Sequence, residues 1–164
     1  RLWVVMLWQG VRRTRTLYEL FPDLEDTVLD RHRGFMLFQQ KQSARRHVKE
    51  RLHDLNEIVD IKLMESTIKS QACRCINCGV PFCQSESGCP LDVVIPDLNK
   101  LVTEDDWRSA LQRILQSNNF PEFTGRACPA VCESACVLQP DPVTIRNIEL
   151  VIAEYGFAHG YIVP

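Results

Sequence analysis

Long apolar runs are missing from this 164-residue chain: the longest, residues 2–8 (LWVVMLW), is far short of the roughly 20 residues that cross a bilayer. No membrane span is expected. The formal charge is -2 and no block of lysine and arginine interrupts the sequence, so there is no electrostatic footprint for nucleic acid. Aromatic residues make up only 8%. There is no glycine-rich dinucleotide fingerprint, no sustained strand alternation, no internal repeat and no low-complexity tract. These absences leave a soluble, helical chain with one compact domain plus an arm, which does not bind a nucleotide cofactor by itself.

What the chain has is cysteine, eight in all. Seven fall into two runs, Cys75-x2-Cys78-x4-Cys83-x5-Cys89-Pro90 and Cys128-Pro129-x2-Cys132-x3-Cys136. A disulfide framework belongs to shorter secreted chains, so metal-type spacing points to an intracellular reducing compartment. Thiolates are the soft ligands of iron-sulfur clusters, and a C-x2-C-x4-C loop offers three sulfurs to one cluster while a closing Cys-Pro serves its neighbour. Two clusters are the natural count. The chemical rival is structural zinc, which typically pairs one C-x2-C knuckle with another; here a single knuckle is followed by closely packed cysteines and two Cys-Pro steps.

Cys128, Cys132 and Cys136 stand at i, i+4 and i+8, which on one helix would form a row of sulfurs able to serve both clusters. Cys75, Cys78, Cys83 and Cys136 are therefore assigned to one cluster, and Cys89, Cys128 and Cys132 to the other. The eighth ligand is open between Glu149, a carboxylate beside the apolar stripe Ile145, Ile148 and Ile152, and Cys73. Glu149 is the favoured choice, and its alternative role is to pair with a buried arginine. Cys73 reads as still on the helix before the first run. Arg74, Arg126 and Arg146 lie near these ligands, either tuning an anionic cluster or as ordinary solvated cations. None of the four histidines falls within the cysteine runs, and none is assigned as a ligand.

Two units are read along the chain: an arm over residues 1–42, partly extended and broken at Pro22 and Gly34, and a helical iron-sulfur domain over 43–164. Helices are expected over 43–60, with Val48, Leu52 and Leu55 on one face, over 63–72 and over 97–102. Asp106 should cap a further helix with Trp107, Ala110, Leu111, Ile114 and Leu115 inward. Residues 118–126 read as a loop whose Phe120 and Phe123 shield cluster sulfur. A last helix should run over 144–155, burying Ile145, Ile148, Ile152 and Tyr155. Arg1, Arg12, Arg13 and Arg15, with no acid before Glu19, match a mitochondrial transit bias, and equally an arm that packs on a partner. Without an initiator methionine the chain is expected to be a fragment or a processed product.

On the strings QACRCINCGVPFCQSESGCPLDVVIPDLN, DWRSAL, NNFPEFTGRACPAVCESACVL and PVTIRNIE, the chain from Arg33 onward resembles the amino-terminal iron-sulfur domain of the glutamate synthase small (beta) subunit. The same domain occurs fused in NADH-dependent glutamate synthase and, as a relative, in dihydropyrimidine dehydrogenase. The resemblance implies an all-α fold, alpha-helical ferredoxin-like, holding two [4Fe-4S] clusters on the ligand sets above. A glutamine completes the second cluster in dihydropyrimidine dehydrogenase, and aligning that segment with PVTIRNIE puts Glu149 at its place. Cys73 falls where the family has a small non-ligand residue. The resemblance further implies an electron relay from NAD(P)H and FAD on a companion domain or chain to the glutamate synthase large subunit, within an oxidoreductase of glutamate biosynthesis. The chain alone would relay electrons without running the reaction. A contrasting reading makes it an iron-sulfur-stapled structural subunit of a larger, perhaps mitochondrial, assembly.

Overall fold

The computed structural model describes residues 30–43 and 45–163, apart from the side chain of Leu63. The basic arm before residue 30, with its transit-like reading, lies outside them. Among the described residues the fold is all-α: α1 (Gly34–Leu37), α2 (Val48–Arg51), α3 (Ile61–Cys73), a 3-10 turn (Phe82–Gln84), α4 (Ile95–Thr103), α5 (Trp107–Ile114), α6 (Pro121–Ala127), α7 (Val131–Ser134) and α8 (Ile145–Ala158). Their one extended pairing is an isolated antiparallel bridge between Arg45 and Val59.

Helix α8 is the axis on which the others pack, touching α3, α4, α5, α6 and α7. Its sequence explains this. Ile145, Ile148 and Ile152 form the expected stripe, and Leu150, Val151 and Ala153 make a second apolar face, so the helix is buried almost all round. Tyr155, at the end of the stripe, is only half-buried and stacks on Trp107 of α5 at 4.5 Å. In α5 the Asp106 carboxylate accepts the Ser109 amide at 3.1 Å, and Trp107, Ala110, Leu111 and Ile114 face inward as their spacing predicts. Helices α3 and α4 run slightly beyond their expected bounds. In α4, Pro96 sits in the first turn, where its missing N–H costs nothing.

Four expectations are corrected. The helix expected over 43–60 shrinks to the four residues of α2, with Val48, Leu52 and Leu55 exposed. Charged side chains there close a folded-back excursion instead of a helix face: Arg46 grips Asp54 through two hydrogen bonds of 2.9 and 2.6 Å, and its amide donates to the Ile58 carbonyl. Gly34 opens α1 instead of breaking the chain, because a side chain at that point would run into the Cys73 backbone carbonyl. The expected loop over 118–126 is largely α6, with Pro121 at its start and Gly125 against α8. Phe120 and Phe123 are 61% and 66% exposed, meet each other edge to face, and do not line the recess of Cys75, Cys78, Cys83 and Cys136.

Gly125 permits the closest approach of α6 to α8. A Cβ there would stand 2.6 Å from Leu150 Cβ and 2.9 Å from its Cα, and the latter is backbone that cannot rotate away. Gly125→Ala is expected to lose about 1–3 kcal/mol of stability through overpacking. Chemical denaturation checks this, and an unchanged midpoint would contradict the tight helix contact.

Candidate metal centres

The first cysteine run begins where α3 ends. The Arg74 and Cys75 amides donate to the Gln71 and Ala72 carbonyls at 3.3 and 3.0 Å, closing the last turn and delivering Cys75 directly off the helix. Asn77 then takes a left-handed backbone (φ 48°), which asparagine tolerates, and the chain reverses between Cys75 and Cys78. The 3-10 turn carries Cys83. From there Gly88 brings Cys89 back so that its amide donates to the Cys83 carbonyl at 2.8 Å. A side chain on Gly88 would collide with that same carbonyl, so the loop needs glycine.

Cys136 arrives from the other end of the sequence, one residue past the cap of α7. The Gln139 side-chain Nε2 donates to the carbonyls of Glu133, Ser134 and Cys136 at 3.0 to 3.2 Å and fixes this stretch. Cys75, Cys78, Cys83 and Cys136 line one recess, walled by Ile95, Val143 and Ile145 and by the polar Asn99. Burial pushes the Cys83 thiol up to about 12, and the neighbouring Cys75, Cys136 and Cys78 push in the same direction.

A second group forms around α7. The row of three sulfurs on one helix is corrected: Cys128 is extended, Ala130 is left-handed (φ 56°), and only residues 131–134 are helical. The Cys-Pro step interrupts the helix, and the turn instead aims the Ala130 amide at Cys128 Sγ, 3.4 Å away. Cys132 is buried, and its thiol is raised first by burial and then by Glu149, Glu133, Cys89 and Cys128, which all lie within electrostatic reach. Glu149 is 7% exposed and has no hydrogen-bond or ion-pair partner among the described residues. Burial, reinforced by Glu133, raises its carboxyl to about 7.

Sequence reasoning missed Glu133 and Asn99. Glu133 accepts the Arg146 amide at 3.0 Å and so caps the first turn of α8 from another helix, while Arg146 Nη1 donates to the Cys128 carbonyl at 3.0 Å. Its only signal was an acid between two cysteines. Asn99 had a clearer one: it interrupts the apolar stripe Ile95, Leu98 and Val102. Cys73 stays on α3, wholly buried against Gly34. Its thiol is raised to about 11 chiefly by burial, and its charged neighbours are Asp30 and Arg31, not the cysteine groups.

Arg74 corrects the solvated reading. It is 3% exposed, donates to the Asp141 carbonyl through Nη2, and leaves Nε and Nη1 unpaired. Arg126 is tied instead to Glu57 and Glu154 at 2.6 and 2.7 Å. Sulfurs and carboxylates that repel one another, beside a buried arginine with spare donors, suit a polynuclear metal cluster. Its irons hold thiols as thiolates, and its net negative charge attracts the arginine. Among the described residues no three of these side chains converge as tightly as the ligands of a single ion; a cluster occupies a wider cage.

An all-helical fold that gathers cysteines into such groups is the arrangement an iron-sulfur domain requires. Residues 51–161 match the family described as dihydropyrimidine dehydrogenase domain II, 4Fe-4S cluster, and the chain belongs to that family. It is 40% identical over 156 residues to glutamate synthase [NADH] of Saccharomyces cerevisiae, aligning 87% of this chain with 7% of that protein. It is 46% identical over 134 residues to the glutamate synthase [NADPH] small chain of Mycobacterium tuberculosis strain H37Rv, covering 80% of this chain and 27% of that one. With the Bacillus subtilis small chain the identity is 45% over 140 residues, 80% of this chain and 28% of that one. The chain thus spans less than a third of each of these relatives.

Gly88→Ala is expected to open the Cys83–Cys89 loop and lower iron and acid-labile sulfide in the purified protein to half or less. Full occupancy in that variant would show that the loop tolerates a side chain.

Proposed function

We propose that the chain is an electron-transfer domain carrying two [4Fe-4S] clusters, one on Cys75, Cys78, Cys83 and Cys136 and the other on Cys89, Cys128, Cys132 and Glu149. The observation that carries this reading is the convergence of Cys136 with the first cysteine run in one apolar recess, from 53 residues away in sequence (136 − 83). The unpaired, buried Glu149 supports the eighth position, and the separation of Cys73 from both groups argues against its rival. Each cluster accepts and returns one electron at a time, at a potential set by burial and by hydrogen bonds to its sulfurs.

The chain's own residues would then hold the clusters, exclude water with Ile95, Val143 and Ile145, and balance charge with Arg74. Family membership and the named relatives support a glutamate synthase-like context. In it an NAD(P)H-reduced flavin on a companion domain or chain feeds the clusters, which pass electrons toward a large-subunit partner in glutamate biosynthesis. Eight unbridged cysteines suit a reducing compartment. A mitochondrion is one such compartment. A structural role has one observation in its favour: Cys75, Cys83 and Cys132 belong to the apolar core, so losing a cluster would also loosen the fold.

Glu149→Ala is expected to remove about half the iron and sulfide, whereas Cys73→Ala retains both in full. Iron and sulfide analysis of the two variants decides the eighth ligand, and full iron in Glu149→Ala would overturn that assignment. Stopped-flow reduction by NAD(P)H with a companion flavoprotein tests the relay. Clusters that no such companion reduces, yet whose removal unfolds the domain, would leave only the structural role.

A further inference from the structure

Asn99 is an anomalous polar side chain. It is 1% exposed, neither its Nδ2 nor its Oδ1 has a hydrogen-bond partner, and it lines the recess that holds Cys75, Cys78, Cys83 and Cys136. Its place on α4 makes this stranger. Ile95, Leu98 and Val102 stand at i, i+3 and i+7 on the buried face, and Asn99 fills the i+4 position where that stripe calls for leucine. Asparagine is a poor residue for a helix interior, and a buried amide without a partner is left with its full desolvation cost. Such a group calls for a missing partner. The side chains that share its recess are otherwise apolar apart from Asn77 and the four cysteines, so the partner is what the cysteines hold.

We propose that the Asn99 side-chain amide donates a hydrogen bond to sulfur of the cluster held by Cys75, Cys78, Cys83 and Cys136, and so raises the reduction potential of that cluster. This rests on the two-cluster reading. An N–H aimed at sulfur withdraws charge from an anionic centre and stabilises its reduced, more negative form, and hydrogen bonds to sulfur are among the levers that set such potentials. Asn99 is a positioning and tuning residue here, not a ligand, so the cluster is held without it. Direction follows from the chemistry: removing the donor makes reduction harder.

The test is redox titration of the whole chain, followed by electron paramagnetic resonance, on wild type, Asn99→Leu and Asn99→Asp. Asn99→Leu, nearly equal in volume, is expected to keep iron and sulfide at the wild-type level. It should shift one of the two centres at least tenfold toward the oxidised form, about 59 mV for one electron. Asn99→Asp, whose buried carboxyl beside an anionic cluster keeps its proton and can still donate an O–H to sulfur, should shift the same centre less than Asn99→Leu. An unchanged potential in fully loaded Asn99→Leu would overturn the proposal, while the absence of labile sulfide from wild type would instead sink the cluster reading beneath it. Should the variants fail to load, wild-type Asn99 is probed directly. Protein labelled with 15N at asparagine side-chain amides, in an Asn77→Gly background whose left-handed backbone suits glycine, should show a nitrogen coupling to the reduced cluster. No coupling would likewise overturn it.

Discussion

Groups of like charge are driven together in the interior of this fold, and everything else is arranged around that repulsion. Cys75, Cys78, Cys83 and Cys136 share one recess, and Cys132 feels both Glu149 and Glu133. Left to themselves these groups would hold their protons, which is why burial and mutual repulsion raise Cys83, Cys132 and Glu149 together. On the proposed reading, iron in each group would reverse that preference. The fold would then be stable in its functional form only with iron in place, and the apolar walls that would strengthen metal-thiolate bonds are the same walls that would penalise their absence.

Helix α8 converts this local chemistry into architecture. It is apolar on most of its circumference, which makes it the natural axis for α3 through α7, and it carries Glu149 inside that apolar surface. Its first turn is held by Glu133 from α7, whose next-door residue Cys132 lies within electrostatic reach of Glu149. Arg146 closes the circuit through the Cys128 carbonyl. Ligands that are distant in sequence are thus fixed by one helix end, and rigidity there serves the preorganisation that a cluster with a narrow geometric tolerance requires.

Much of the chemistry was legible because cysteine spacing is a direct image of ligand geometry. The two runs, the cap at Asp106 and the isoleucine stripe of α8 were all readable from local pattern, since each depends on neighbours within a turn or two. What failed depended on partners far away. Residues 43–60 carry a helical periodicity in Val48, Leu52 and Leu55, yet among the described residues no surface covers them, and the Arg46–Asp54 pair folds the segment back instead. Pro121 and Gly125 look like loop signals, but one starts α6 and the other lets it touch Leu150. The i, i+4, i+8 row at Cys128, Cys132 and Cys136 ignored Pro129, and the left-handed Ala130 beyond it shows where helical spacing stops implying a helix. Arg74 next to Cys75 looked like a solvated cation; only the tertiary structure buries it.

The amide of Cys89 bonded to the carbonyl of Cys83, and the single short helix separating Cys132 from Cys136, interleave the two ligand sets. On the proposed assignment each loop is clamped to both centres at once. Electrons added to such closely braced neighbours cannot be independent: the first raises the negative potential felt by the second and makes its arrival harder. The pair would then behave as an anticooperative store that fills in two separated steps and releases its second charge most readily, an ordering imposed by covalent connectivity before any partner docks.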